Sequence, residues 1–169
     1  ELVRIKFAQH QWPEAQAMMT QLKAKNKLSL EDQLIEAYLL IHLKKENEAR
    51  KRFESIIKKK PKNVDAIMGL SVQLLRKGFL EDSLSWLNKG LEINSHQAKA
   101  HYLRASILFR QGDYLQGDLA ISRALELDPA NPSFQLLFLR RQLMQGELAV
   151  VEKELKRIQE KHPLNTEAL

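Results

Sequence analysis

The 169-residue chain contains no cysteine, which excludes disulfides, thiol catalysis and thiolate metal sites. That absence does not choose between the cytoplasm and a bacterial periplasm. Glycine and proline are scarce, at 6 and 5 residues, so long irregular loops are not expected. No apolar run approaches the ~18 residues of a membrane-spanning helix. The opening Glu1-Leu2-Val3-Arg4 reads as the inside of a helix rather than a secretory leader. Chemistry-bearing motifs are missing too: there is no Gly-rich phosphate loop, no Gly-x-Ser-x-Gly elbow and no His-Glu-x-x-His. The five histidines, His10, His42, His96, His101 and His162, include no pair at the four-residue spacing of a helical metal site. Carboxylate pairs such as Glu46/Glu48 and Glu152/Glu154 read as ordinary charges on exposed helix faces. No cofactor is implied, and the chain is not expected to be an enzyme.

What is present is a folded composition, 44% hydrophobic and 28% charged, with a net charge of +6. The charge is uneven. Residues 1–63 carry 14 Lys/Arg against 8 Asp/Glu, whereas residues 64–169 carry 13 of each. The excess includes Lys58-Lys59-Lys60-Pro61-Lys62. A nucleic-acid patch would look like this, but so would a solvated helix end, where lysines suit the negative pole of the dipole. No aromatics interleave with the cluster to stack bases, so the helix end is the stronger reading. Nucleic-acid binding through the basic N-terminal half stays as the weakest functional alternative.

A period runs through the chain. Gly78, Gly112 and Gly146 stand 34 residues apart; Pro129 and Pro163 are one such step apart, and Pro61 and Pro129 two. A fixed period in this range signals a repeat array. Blocks 30–63, 64–97, 98–131 and 132–165 each read as helix, tight turn, helix. The first helices are predicted over 31–44, 64–77, 98–111 and 132–145, the second over 47–60, 81–94, 115–128 and 148–161. Apolar residues recur at three- and four-residue spacing, as in Phe53, Ile56, Ile57 or Leu84, Leu87, Leu91. Each glycine is placed to end a first helix in a left-handed conformation. Lys44-Lys45-Glu46-Asn47 stands there in the first block, a weaker stop.

These residues resemble the tetratricopeptide repeat, over nearly the whole chain. The family pattern of a small residue, an aromatic four later and a proline eight later is met by Ala49, Phe53 and Pro61. Gly117, Ile121 and Pro129 follow it closely; Ser83, Leu87 and Ser95 lose the proline, and Val151, Leu155 and Pro163 begin with a bulkier residue. The small place on the first helix holds Ala37, Ser71 and Ala105, but Leu139 in the last block. The usual leucine place holds Leu70, but Glu36, Arg104 and Phe138 elsewhere. Trp12-Pro13-Glu14-Ala15 looks like the turn and second helix of an earlier, partial repeat within 1–29, and 164–169 like the start of a further helix. The chain is therefore expected to be one array cut from a longer one.

The resemblance implies an all-α fold, a right-handed α-solenoid of stacked antiparallel helix pairs. It also implies a concave groove, lined by the first helices, that binds a protein or peptide partner. By register the groove candidates are Leu34, Tyr38, Ile41, Met68, Val72, Leu75, Tyr102, Phe109, Arg110, Leu136 and Arg140, with Leu143 and Met144 on the same face. Chaperone-docking relatives grip a terminal carboxylate with lysines and asparagines, where this chain has Leu34, Tyr38, Met68 and Gly69; no such docking is expected. A Met- and Tyr-bearing apolar groove suits an amphipathic helix or hydrophobic peptide. An array serving a bacterial envelope assembly or export system is the family-level alternative.

Overall fold

A computed structural model describes residues 2–25 and 28–161. All regular structure among them is helical: α1 (Leu2–Ala8), α2 (Trp12–Ala24), α3 (Leu30–His42), α4 (Glu46–Lys59), α5 (Val64–Arg76), α6 (Leu80–Ile93), α7 (Ala98–Gln111), α8 (Tyr114–Leu127), α9 (Pro132–Gln145) and α10 (Leu148–Lys161). Both helix families keep the sequence period: α3, α5, α7 and α9 start at 30, 64, 98 and 132, and α2, α4, α6, α8 and α10 at 12, 46, 80, 114 and 148. None of the described helices is long and apolar enough to cross a membrane. The helix start expected over 164–169 lies outside the described residues.

Local chemistry sets the helix ends. Ser29 and Asp32 form a reciprocal capping box: the Asp32 N–H donates to Ser29 Oγ at 3.1 Å and the Ser29 N–H to Asp32 Oδ2 at 3.0 Å. Asn63, Asp113 and Asn131 accept from the first-turn N–H groups of Ala66, Gln116 and Ser133. At the other end Gly78, Gly112 and Gly146 take φ of 83°, 81° and 81°. The same left-handed place is filled without glycine one and two periods earlier, by Lys44 and His10, both at φ 60°. So the first block's turn has the geometry of the others, at a backbone cost that glycine avoids, of order 1–2 kcal/mol.

Within each pair the helices cross on small side chains. Ala37, Ala49, Ser71, Ser83 and Ala105 are all 0% exposed. The two serines satisfy one another: Ser71 Oγ donates to the Ser83 carbonyl at 3.0 Å and Ser83 Oγ to the Ser71 carbonyl at 2.9 Å. Leu139 and Val151, each 6% exposed, make the last crossing bulkier. The core is a chain of clusters: Phe53 and Ile56 with Leu70 and Leu74, then Leu87 with Leu103 and Ile107, then Ile121 and Ala124 with Phe134.

Two polar residues occupy apolar places. Glu36, in the leucine place, is buried between α2 and α4. Arg52 Nη2 donates to its Oε1 at 3.1 Å, Arg52 Nε lies 3.0 Å from Oε2, and Lys23 completes the cluster. A buried carboxylate is tolerated only when paired in this way. Gln73 is less well served. It is 1% exposed, and neither of its amide atoms meets a protein hydrogen-bond partner. Its equivalents one period either side are the buried Leu39 and Ile107. Replacing an unpaired buried amide with an aliphatic group of similar size removes a desolvation cost of ~1–3 kcal/mol. Gln73→Leu is therefore expected to raise the thermal midpoint in a circular-dichroism melt; a fall would mean that the amide has a partner worth more than the burial.

Candidate protein-binding groove

Curvature decides which face is concave. The first helices touch one another, α1 with α3, α3 with α5 and α5 with α7, whereas no two second helices make comparable contact. The first helices are therefore the shorter, inner row. α7 and α9 approach less closely than the others in that row; Tyr102 and Phe134 bridge them, their rings stacked at 5.0 Å between centroids.

The residues proposed for the groove divide along this row. Leu34, Tyr38 and Ile41 pack, half-buried, on the cluster around Phe53. Met68 is buried, and Val72 and Leu75 pack beside it. Tyr102 and Phe109 are half-buried against Phe134 and its neighbours. Arg110 and Arg140 are exposed. Leu136, Leu143 and Met144 expose 52%, 50% and 69% of their surface. The inner face is thus largely filled by packing over α3 and α5; the equivalents of Leu34 and Ile41 on α9, Leu136 and Leu143, face the place of a following first helix, which lies outside the described residues. Phe109 and Arg140 share one depression of about 160 Å³ with Tyr114, Leu137, Arg141 and Met144. Tyr114, Leu137 and Arg141 lie outside the register set chosen from sequence. The available signal was the second-helix opening place, where Tyr114 stands three periods after Trp12.

Arg141 is held there by its own partners. Its Nε and Nη2 donate to the two carboxylate oxygens of Asp118 at 2.9 and 3.1 Å, and the guanidinium lies 4.5 Å from the Tyr114 ring centre. Tyr38 is fixed at both ends: its ring meets Phe53 edge-on at 5.3 Å, and its hydroxyl donates to the Asp65 carbonyl at 3.1 Å. At the first junction Trp12 stacks on His42 at 4.0 Å, with Phe7 edge-on to both. His101 is a packing residue, its Nε2–H donating to the Ser95 carbonyl at 2.9 Å. Lys58, Lys59, Lys60 and Lys62 lie exposed at and just beyond the C-terminal end of α4, where they complement its dipole. Among the described residues no three His, Asp or Glu side chains cluster as a metal site would require.

Solved structures decide the fold. A thermophilic TPR protein of Thermus thermophilus, TTC0263, superposes with a TM-score of 0.79 at 21% identity, over 98% of this chain and 91% of that one. The fold is a tetratricopeptide-repeat solenoid. YrrB, a TPR protein described as having an unusual peptide-binding site, matches with a TM-score of 0.65 at 14% identity, over 79% of this chain and 69% of that one. The first TPR of Spaghetti (RPAP3), bound to an HSP90 peptide, matches at 0.65 and 16% identity, over 69% and 93%. No family model and no curated relative matches the sequence.

Two measurements probe the packing beneath this solenoid's inner face. Burial, and secondarily the Asp65 carboxylate, push the Tyr38 hydroxyl up to about 12. The folded state therefore holds this proton where the unfolded chain, with a phenol near 10, has lost it. Stability from Tyr38 is whole below pH ~10 and falls as pH rises towards ~12, by ~2–3 kcal/mol. The alkaline loss in a pH series of melts is expected to be smaller in Tyr38→Phe than in the wild type; equal losses would place the titration elsewhere. Glycines give a second contrast. A Cβ on Gly69 would lie 2.3 Å from the fully buried Phe53 ring, and one on Gly117 2.3 Å from the half-buried Phe109 ring. Phe53 has no space to move, so overpacking of ~1–3 kcal/mol outweighs the helix-propensity gain of ~1 kcal/mol at Gly69→Ala. Phe109 can swing towards solvent, and Gly117→Ala should be the milder change. The reverse order in denaturant titrations would show that the Phe109 ring is the better fixed.

Proposed function

We propose that this array is a non-catalytic scaffold that docks an amphipathic helix or hydrophobic peptide of a protein partner in its concave groove, chiefly over α9 and the adjoining end of α7. The observation that carries the reading is the apolar depression between α7, α8 and α9, lined by Phe109, Tyr114, Leu137 and Met144, with Met144 itself 69% exposed. Exposed apolar patches of this kind mark interaction sites, and Met adapts its shape to a partner. Peptide binding by two structural neighbours supports the reading at the level of the fold. Of the other register candidates, Leu34, Tyr38, Ile41, Met68, Val72, Leu75 and Tyr102 contribute the wall behind the docking face, and Arg110 and Arg140 its charged rim.

The test uses exposed leucines rather than the packed tyrosines, because Tyr38 and Tyr102 hold the repeats together. Leu136→Asp/Leu143→Asp is compared with Leu119→Asp, an equally apolar change at a residue 60% exposed on the outer-row helix α8. In affinity capture from lysate of the source organism, the partner is expected to be lost by the groove variant and kept by the α8 variant. Loss of the partner by Leu119→Asp alone would move the site to the convex face.

A further inference from the structure

Two contacts recur between successive repeats on the inner face, and comparing them locates charge that is left over. The first joins the residue that opens a second helix to one in the last turn of the next first helix. Trp12 stacks on His42; Glu46 pairs with Arg76 at 3.3 Å; Tyr114 and Met144 line one depression. At the remaining junction the register sets Leu80 opposite Arg110, and the adjacent Glu81 accepts from Gln111 Nε2 at 3.1 Å instead, which leaves the arginine without an ion pair there. The second contact joins the middle of a first helix to the first turn of the next. Arg4 pairs with Glu31, and Tyr38 bonds the backbone of Asp65; the next pair in register is Val72 and Lys99. Arg140 has the register of Arg4, and the acid one repeat on is Glu167, outside the described residues. Arg110 and Lys99 therefore carry the argument, and Arg140 adds to it.

Beyond Asp65 the inner-face positions hold no carboxylate among the described residues; their cations are Arg76, which Glu46 neutralises, and the exposed Lys99, Arg110 and Arg140, among Tyr102, Phe109, Leu136, Leu143 and Met144. Arg141 is not part of this surplus, because Asp118 neutralises it. The depression that Arg140 rims holds about 160 Å³, the scale of a cavity that accepts a benzene ring, ~150 Å³. Resting on the groove reading, we infer that the partner segment is acidic: an amphipathic peptide that seats an aromatic or leucine side chain between Phe109, Leu137 and Met144 and sets internal Asp or Glu side chains against Arg110, Arg140 and Lys99. Complementary charge here steers encounter and fixes orientation more than it adds affinity. It differs from gripping a chain terminus, since the cations flank the apolar socket rather than converge on one point.

The probes are three fluorescent amphipathic helical peptides with one shared Leu/Phe stripe and amidated C-termini. They differ only in carrying Glu, Gln or Lys beside the stripe. Anisotropy titrations at low salt are expected to rank Glu over Gln over Lys, with the ends of the series about tenfold apart or more. The spread should shrink as salt rises. Arg110→Glu/Arg140→Glu, whose fold is checked by its melt, should invert the order. Three peptides bound equally, with all binding lost in Leu143→Asp, would overturn the acidic partner and leave the groove in place. Glu-peptide binding untouched by the charge reversal would also overturn it, placing the carboxylates on other cations such as Lys58–Lys60. No binding of any peptide, or binding indifferent to Leu143→Asp, would remove the groove reading itself.

Discussion

Everything in this solenoid depends on pairs of helices crossing where almost no side chain intervenes. Ala37, Ala49, Ser71, Ser83 and Ala105 are wholly buried, and at these places one added methyl group is felt in a close-packed interior. Close crossing makes each pair a wedge of fixed shape, and among the described residues the stacked wedges bring the helices of the inner row closer together than those of the outer row. The groove is thus a by-product of packing rather than a separately built site. Its openness is set locally by how far apart two first helices stand.

That dependence explains why the two ends of the inner face differ. Over α3 and α5 the candidate groove residues double as packing residues, with Tyr38 tied to Phe53 and Asp65 and Met68 drawn into the next cluster. Over α9 the crossing beneath is bulkier at Leu139 and Val151, and Met144 faces out beside the depression at Phe109. The charged residues follow the same logic. Glu36 is held by cations from two neighbouring helices, whereas in the later repeats Leu80 stands opposite Arg110 and Val72 beside Lys99.

Much of the fold was legible because the 34-residue spacing of Gly78, Gly112 and Gly146 fixes the turns, and everything else counts from them. The helices fall within about two residues of their expected bounds, as helix ends generally do. The first expected helix stops early, at His42 with Leu43 as its cap, because Lys44 adopts the left-handed turn without being glycine. His10 does the same two periods before Gly78, a repeat of the pattern that composition hides. The site was less legible. Register alone puts Leu34 and Leu136 at equivalent places; Leu34 packs on the following first helix, and the helix that would follow α9 lies outside the described residues. The roles of Tyr114 and Arg141 depend on Asp118 lying across a junction, a pairing that no single helix reveals.

The bulkier crossing of α9 and α10, at Leu139 and Val151, has a consequence for how the array comes apart. In a solenoid each unit is held only by its neighbours, so opening is graded along the chain rather than all-or-none. The described pair with the bulkiest crossing residues also carries Met144 and the wall of the depression at Phe109. A ligand spanning α7 and α9 ties that pair to the better-packed repeat before it, and whatever binds the closed form and not the opened one raises the cost of opening. Occupancy of the face and protection of the α9 backbone from solvent are then two readings of one equilibrium.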